Sequence, residues 1–278
     1  MFDFIPQIPL ADWVDAATNF ITSTFSFVFN PIRNQFGDFM SWTASQLSAI
    51  PPFVIVILVA VCAFFITGKR IGLAAFSVVG LILIDNQGLW DQLMSTFTLV
   101  IIASLLSIII GVPVGILMSK SKTAEAIILP ILDFMQTMPA FVYLIPAVAF
   151  FSIGMVPGVF ASLIFATPPT VRFTNLGIRQ VSTELVEAAE AFGSTGSQRL
   201  FKVELPMAKK TIMAGINQTV MLSLSMVVIA SMIGAPGLGR PVLSALQRAQ
   251  AGPGFVAGLS IVILAIIMDR FTQNIYKK

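Results

Sequence analysis

Long apolar runs separated by short polar stretches dominate the sequence from about residue 50 onward. A helix that crosses a bilayer needs about 20 mostly apolar residues, because hydrocarbon cannot satisfy open backbone groups. Seven runs fit this requirement and are predicted as transmembrane helices: 50–68, 71–84, 93–118, 127–151, 155–171, 208–233 and 254–270. The second run is short, and Pro168-Pro169 is predicted to break the fifth. The pattern indicates an all-α polytopic membrane protein with about seven transmembrane helices.

The first 49 residues show a helical periodicity without a long apolar run. Mostly apolar side chains recur every three or four residues, while acidic and amide side chains lie on other faces. The periodic set is Leu10, Trp13, Val14, Ala17, Ile21, Thr24, Phe25 and Val28. It predicts an amphipathic helix at the external membrane interface. The polar face carries Asp12 and Asp15, so attraction to anionic lipid does not explain it; a packing strut and a docking site for an external partner are both open.

Composition strengthens the membrane assignment and limits the chemistry. Apolar residues make up 56% of the 278 residues and charged residues only 10%, whereas soluble domains carry about 25% charged residues. The chain has no His and one cysteine, Cys62, which excludes a structural zinc site, a disulfide within the chain and a Ser-His-Asp or Cys-His relay. TGKRIG, from Thr67, lacks the first Gly and the hydroxyl of a phosphate-binding loop. We expect no metal ligand and no catalytic residue in this chain, and an acidic N-terminus, with Asp3, that is retained.

Basic residues are unevenly distributed between the predicted helices. Of the 16 Lys and Arg residues, only Arg33, Arg240 and Arg248 fall on the side of the N-terminus. The others are Lys69, Arg70, Lys120, Lys122, Arg172, Arg179, Arg199, Lys202, Lys209, Lys210, Arg270, Lys277 and Lys278. Because cytoplasmic loops of membrane proteins are enriched in Lys and Arg, the N-terminus is predicted outside and the C-terminus inside.

Two groups of polar side chains interrupt predicted transmembrane helices. Asp133 lies near the start of the fourth helix, where a carboxylate is costly and indicates function or a buried partner. The residues grouped with it in this proline-rich helix are Met135, Gln136, Thr137, Met138, Phe141 and Tyr143. Asn217, Gln218 and Ser223 form the second group, in the sixth helix. Both groups are candidate linings of a translocation pathway, with ordinary helix packing as the alternative.

The sequence GAPGLG, from Gly234 to Gly239, superficially matches a dinucleotide-binding fingerprint. It follows an apolar helix rather than a strand of a βαβ unit. We therefore predict an external turn in which backbone segments approach closely.

A polar segment late in the chain stands out among the apolar runs. Glu184, Glu187 and Glu190 recur every three residues, near one face of a helix, and Phe192-Gly193 is predicted to end it. A second short segment combines apolar and basic residues before the next transmembrane helix: Leu200, Phe201, Val203, Leu205, Arg199, Lys202 and Lys209, with Pro206 at the boundary. The pattern predicts a helix–turn–helix elbow on the cytoplasmic face that docks into a groove of a partner, with a solvated loop as the alternative.

This segment resembles the EAA loop of ATP-binding-cassette (ABC) importer permeases, in which Glu-Ala-Ala is followed by three residues, Gly, nine residues, Ile, any residue and Leu-Pro. The matching residues are Glu187, Ala188, Ala189, Gly193, Val203, Leu205 and Pro206, with Val in place of Ile. Longer stretches, such as PILDFMQTMPAFVYLIP and GINQTVMLSLSMVVIASMIGAPGLG, are similar to permeases of glycine betaine and proline betaine importers. The likeness covers nearly the whole chain.

The resemblance implies a type I ABC-importer permease with three parts: an external interfacial segment (1–49), accessory transmembrane helices (50–92) and a permease core (93–278). It implies a multi-pass bacterial plasma-membrane protein that takes up betaine-type solutes for osmoprotection. Residues 187–206 would couple it to an ATPase. Phe141 and Tyr143 are candidates for transient cation–π contact with a quaternary ammonium group.

The partners that the resemblance implies are a second copy of the permease, two ATPase subunits that bind ATP and magnesium, and an external binding protein. Because no further domain follows Lys278, the binding protein is expected to be a separate chain. No nucleic-acid partner is expected. Two alternatives are open: an ABC permease for choline, carnitine or an amino acid, and an ion-coupled secondary transporter, which needs no docking elbow.

Overall fold

The computed structural model of the chain describes residues 9–68 and 71–275. All regular structure in these residues is helical. The α-helices are α1 (Leu10–Thr24), α2 (Ser26–Pro31), α3 (Gly37–Ala49), α4 (Pro52–Ile66), α5 (Ile71–Asn86), α6 (Trp90–Lys120), α7 (Lys122–Thr137), α8 (Leu144–Phe151), α9 (Met155–Arg179), α10 (Thr183–Ala191), α11 (Gly196–Arg199), α12 (Leu205–Ser231), α13 (Gly239–Gln247) and α14 (Ala251–Ile275). Two π-helical turns, Ile32–Phe36 and Leu200–Glu204, and a 3-10 turn, Ala140–Tyr143, connect some of them. The predictions made for Asp3, Lys69, Arg70, Lys277 and Lys278 concern residues outside the described ranges.

The N-terminal segment is helical, as its periodicity predicts, but it is not one helix. α1 ends at Thr24, and α2 begins after Phe25. α1 has no buried residue, whereas α3 packs against α6 and buries Met40 and Ala44. α3 is therefore packed against the bundle, and the packing-strut and docking interpretations of residues 10–28 both stay open.

The centre of the molecule is α9, which lies between α6 and α12. Two glycines of α6, spaced four residues apart, allow the close approach. A Cβ at Gly111 would lie 2.9 Å from the Thr170 side chain, and one at Gly115 only 2.6 Å from the Val171 carbonyl oxygen. Small residues at this spacing bring membrane helices into van der Waals contact, which replaces the hydrophobic effect in lipid.

The predicted break at Pro168-Pro169 is wrong, because α9 continues through both prolines to Arg179. Both prolines are buried between the neighbouring helices. Hydroxyl groups supply hydrogen bonds to this stretch: Thr167 donates to the Leu163 carbonyl (2.6 Å), and Thr219 of α12 donates to the Ala166 carbonyl (2.8 Å). Helix neighbours and hydroxyl side chains of this kind make prolines tolerable at membrane depth.

The predicted fourth transmembrane helix, 127–151, is also wrong as a continuous element. α7 ends at Thr137, and the segment Ala140–Phe151 leaves it at an angle of 109°. Pro139 removes a backbone donor at this point, and the residue before a proline is driven out of the helical conformation. Met138 accordingly has an extended backbone, with φ −71° and ψ 134°.

Within the described residues, three helices are long and apolar enough to cross a membrane on their own: Trp90–Lys120, Gly196–Ser231 and Ala251–Asn274. Two bent pairs, Ser26–Ala49 with Pro52–Ile66 and Lys122–Thr137 with Ala140–Phe151, add up to five if each pair counts as one span. The structure thus has the apolar helices of a polytopic membrane protein, and the number seven stays a prediction.

Candidate coupling elbow and membrane-embedded polar sites

Residues 183–206, here called the elbow, form a compact reversal between α9 and α12. Its first arm, α10, is capped at the N-terminus by Ser182, whose hydroxyl accepts a hydrogen bond from the Leu185 amide. Glu184 lies in the first turn, where a negative charge stabilises the positive end of the helix dipole. Glu187 and Ala188 are exposed on this arm, and Ala189 is half-buried.

Gly193 ends α10, as predicted. Its φ of +78° lies in the left-handed region that favours glycine. The Gly193 amide donates to the Glu190 carbonyl (2.9 Å) and the Ser194 amide to the Ala189 carbonyl (3.0 Å), which is the hydrogen-bond pattern of a Schellman motif. Nothing lies within 4 Å of a Cβ built at Gly193, so the backbone conformation rather than crowding requires glycine here.

The second arm of the elbow is continuous with a membrane helix. Thr195 and Gln198 form a capping box that starts α11, and the helix then runs unbroken from Gly196 to Ser231 through a π-helical turn. Pro206 lies in the first turn of α12, as predicted, but no break separates this helix from α11. Pro206 stands at the junction of the π turn and α12, where the hydrogen-bond pattern already changes and a missing N–H is tolerated.

A chain of ion pairs holds the elbow to the bundle. Glu204, which is only 4% exposed, pairs with Lys120 at the end of α6 and lies 3.1 Å from Arg199 Nε. The Arg199 guanidinium also pairs with Glu190 of α10. Both arms and α6 are thus joined through one buried carboxylate.

Sequence reasoning missed Glu204, although it lies between two EAA-loop positions. Residues five apart, such as Arg199 and Glu204, do not face each other on an ideal α-helix, where neighbours are three or four apart. The π turn Leu200–Glu204 brings them together. The only signal in the sequence was an acidic residue among apolar ones, flanked by Lys202 and Lys209.

The EAA-loop positions divide between two environments. Leu205 packs with Ile178, Ala208 and Ile212 in the bundle, and Val203 is half-buried. In contrast, Glu187 and Ala188 face solvent. Beside them lie exposed apolar side chains that no part of the described chain covers: Leu185, Phe201 and Phe192, the last 90% exposed.

A second ionic cluster ties together the ends of three helices next to the elbow. Arg179 of α9 pairs with Glu125 of α7 at 2.6 Å and donates to the Met118 carbonyl of α6 at 3.0 Å. Asn175 donates to Glu125 at 3.1 Å. Among the residues that the structure describes, no three Asp, Glu or Cys side chains converge to hold a metal ion.

Asp133 has a charged partner that the sequence did not suggest. The Arg172 guanidinium donates to its carboxylate at 2.5 Å. Arg172 was assigned to a loop after a helix ending at residue 171, but it lies inside α9, two turns before Arg179. The Asp133 side chain is 64% exposed and that of Arg172 is 34% exposed, so the pair lies on the surface of the single chain.

The aromatic candidates differ in accessibility. The Tyr143 ring is buried, packs edge-on against Phe165 with centroids 6.0 Å apart, and its hydroxyl donates to the Met135 carbonyl. This contact closes the bend after α7 and gives Tyr143 a structural task. The Phe141 ring is exposed. Of the remaining candidates of this segment, Gln136 and Thr137 are exposed and Met138 is half-buried.

The second polar group, Asn217, Gln218 and Ser223, also contains both buried and exposed side chains. Asn217 donates to Asp269 of α14 at 2.9 Å and accepts from the Thr272 hydroxyl. Its amide therefore joins α12 to α14. Gln218 is exposed, and Ser223 is buried with no hydrogen-bond partner for its hydroxyl among the described residues. Asn217 and Asp133 face different helices, α14 and α9.

At the far end of α12, the segment Gly234–Gly239 is a closely packed turn, as predicted. The Thr96 hydroxyl of α6 accepts from the Leu238 amide at 2.8 Å. A Cβ at Gly237 would lie 2.5 Å from that hydroxyl oxygen. A Cβ at Gly239 would overlap the Val227 backbone, so the glycine positions let the turn pack closely against two helices, while the side chains of Ala235 and Leu238 are buried in the core.

The fold is that of an ABC-importer permease. It matches the permease fold in an inward-facing structure of the MetNI methionine ABC transporter, with a TM-score of 0.61 over 68% of this chain and 94% of that chain, at 21% identity. Residues 111–278 match the family described as binding-protein-dependent transport system inner membrane component. The chain belongs to this family, and it is a multi-pass membrane permease subunit.

Two relatives resemble the chain over almost its whole length. The glycine betaine/carnitine transport permease protein GbuB of Listeria monocytogenes is 59% identical, with 99% of this chain and 98% of that protein covered. The glycine betaine transport system permease protein OpuAB of Bacillus subtilis is 53% identical, with 99% and 97% covered. The resemblance inferred from the EAA loop and its surroundings is thereby confirmed.

Proposed function

We propose that this chain is the permease subunit of an ATP-driven importer that takes up glycine betaine and related betaines for osmoprotection. The observation that carries the proposal is the 59% identity to GbuB over 99% of the chain. Both relatives described above have glycine betaine in their names. Choline, carnitine or an amino acid is the alternative substrate, and family membership speaks against the ion-coupled transporter.

In this proposal the elbow is the contact to a separate ATPase subunit, which binds ATP and magnesium. Its exposed tip supports this, because Phe192, Leu185 and Phe201 offer an apolar surface beside Glu187. Two permease copies and two ATPases form the transporter, and a separate external binding protein delivers the substrate.

The direction of the chain in the membrane follows from the same arrangement. Most of the described basic residues lie in the half of the bundle that carries the elbow: Lys120, Lys122, Arg172, Arg179, Arg199, Lys202, Lys209 and Lys210. Arg33, Arg240 and Arg248 lie outside this half. This enrichment supports a cytoplasmic elbow. ATP-driven movement of the ATPase then acts on α10 from the cytoplasm.

Two structural connections can transmit a movement of α10 to the membrane helices. α11, the π turn and α12 form one continuous helix, so the elbow and α12 move together. The pairs Glu190–Arg199 and Glu204–Lys120 link α10 to α6. Through both connections the elbow acts on α6 and α12, the helices that enclose α9. We infer that this movement opens the translocation pathway alternately to the two sides of the membrane.

The test is uptake of labelled glycine betaine by vesicles that hold the chain with its ATPase and binding protein. We expect uptake that requires ATP and is competed more strongly by proline betaine than by choline, carnitine or proline. Stronger competition by choline would transfer the proposal to that substrate. Uptake by the chain alone under a sodium gradient would contradict the proposed function.

The elbow is tested by Glu187→Lys, which places a positive charge on the exposed arm. We expect ATP hydrolysis to continue while uptake falls at least about tenfold, equivalent to ~1.4 kcal/mol of lost coupling. Asp91→Lys makes the same charge change at the exposed start of α6, at the other end of the bundle, and is the control. Full uptake by the Glu187 variant with the ATPase still bound contradicts the docking role.

A further inference from the structure

The Asp133–Arg172 pair lies within the length of the bundle rather than at its end. Arg172 precedes the last residue of α9, Arg179, by two turns, which is about 10 Å at 1.5 Å per residue. The cluster of Arg179 and Glu125 marks the end of the bundle on that side. A charged pair two turns inside the helix end needs water or polar protein groups around it.

α7 exposes two faces of opposite character. Ile127, Ile131 and Phe134 are exposed and apolar. Successive residues of an α-helix are about 100° apart, so these three lie roughly 100–160° around the helix from Asp133. Gln136 and Thr137, both exposed, lie on the Asp133 side. The apolar face suits lipid, whereas the Asp133 face needs water or protein.

The pair itself has unused capacity. Arg172 donates to Asp133 through one terminal nitrogen, and its Nε is buried without a hydrogen-bond partner. A guanidinium carries five N–H donors and binds carboxylates in a two-pronged geometry. The Asp133 side chain is 64% exposed and the Arg172 side chain is 34% exposed. Each charge can therefore bind an additional partner on its exposed side, Arg172 by groups other than its buried Nε.

We propose that Asp133 and Arg172 form a transient binding site for a zwitterionic substrate in the translocation pathway. The carboxylate of the substrate binds Arg172, and its quaternary ammonium group lies against Asp133. A quaternary ammonium has no N–H to donate, so charge attraction rather than a hydrogen bond holds that end. Substrate and site neutralise each other, and when the substrate leaves the two side chains re-form their own pair.

This inference rests on the proposed function, because it takes a betaine as the substrate. Uptake of glycine betaine by the wild-type complex is therefore measured first, and its absence contradicts the proposed function rather than the role of the pair. The pair is then tested in complexes with the ATPase and binding protein in lipid vesicles. The variants are Arg172→Lys, which keeps the charge but loses the two-pronged donor, and Asp133→Asn.

We expect each variant to lower ATP-driven uptake of glycine betaine about tenfold or more, while the complex assembles and melts like the wild type. The matched control is Lys122→Gln, which removes an exposed charge at the start of the same helix and should leave uptake unchanged. Wild-type uptake by both pair variants overturns the proposal.

A second variant separates substrate binding from helix packing. Asp133→Arg combined with Arg172→Asp restores an ion pair between α7 and α9 with reversed charges. A substrate site requires the zwitterion to turn around, so we expect uptake to stay low while thermal stability is retained. If the exchange instead restores uptake to the wild-type level, the pair only joins the two helices, and the proposal is wrong.

Discussion

The two ends of α12 reverse the chain in opposite ways. At the elbow, ion pairs hold the chain reversal in place, because Glu204 pairs with Lys120 and Arg199. The tip of the elbow, with Phe192, is exposed to solvent. At the Gly234–Gly239 turn, backbone atoms pack directly against Thr96 and Val227. An ion-paired and exposed reversal can dock and move with a partner, whereas a reversal whose backbone and side chains are packed between helices is held in place. One helix thus has one end suited to receive motion and one suited to resist it.

The largest predicted difference between the two reversals is the side of the membrane from which each is accessible. In a Cys62→Ser background, which removes the one cysteine of the chain, Ser194→Cys places a thiol on the elbow and Gln247→Cys one at the end of α13. We expect an impermeant thiol reagent to label the two positions from opposite sides of the membrane, each fully from one side and not from the other. Labelling of both from the same side would falsify the assignment of the two reversals to opposite membrane faces.

The packed reversal should be sensitive to single methyl groups. Gly239→Ala places a Cβ against the Val227 backbone, which has no flexible end to move away. Overpacking of this kind costs about 1–3 kcal/mol, and we expect a lower melting temperature in detergent. Gly196→Ala in the elbow is the control, since nothing lies within 4 Å of its Cβ. Equal melting temperatures for both variants would remove the contrast between the two ends.

Removing the charge of the buried Glu204 should lower the thermal stability more than removing the charge of the exposed Glu187. Glu204→Gln leaves Lys120 and Arg199 without their shared partner, and we expect a loss of about 1–3 kcal/mol. Glu187→Gln changes the same group in solvent and should leave thermal stability unchanged. A melting curve of Glu204→Gln that matches the wild type shows that the ion pairs do not hold the elbow.

The smallest effect is expected at the tip of the elbow. Gly193→Ala forces a side chain into the left-handed region at φ +78°, which costs about 1–2 kcal/mol. We expect faster hydrogen exchange of the Ser194 amide, whose bond to the Ala189 carbonyl closes the tip, with little change in overall melting. Ser197→Ala, a substitution elsewhere in the elbow, serves as the control. An unchanged hydrogen-exchange rate of the Ser194 amide in Gly193→Ala would mean that the turn tolerates a side chain.

Local patterns in the sequence were sufficient for several features. The apolar runs predicted a helical membrane protein, and the spacing from Glu187 to Pro206 led to the family. Glycine at position 193 predicted the end of α10, because few other residues adopt its backbone conformation. These features depend on composition or on neighbours along the chain, which a sequence shows directly.

Other features were decided by contacts between distant parts of the chain. Pro168-Pro169 predicted a break, but α6 and α12 enclose that stretch and α9 stays continuous. Asp133 was singled out without its partner, since Arg172 lies 39 residues away in the sequence. Asn217 was likewise named as a pathway candidate without its partner, because Asp269 of α14 lies 52 residues away in the sequence.

The sequence by itself determined that this chain is a helical membrane permease with a helix–turn–helix elbow, because apolar runs, glycine positions and motif spacing act locally. Only the tertiary structure decided which polar groups meet. Glu204 with Lys120 and Asp133 with Arg172 are separated by 84 and 39 residues, and a charge removed from water by protein or lipid must find such a partner or an ordered water. The helices that carry them are positioned by the packing of α6, α9 and α12, and that packing made the pairs.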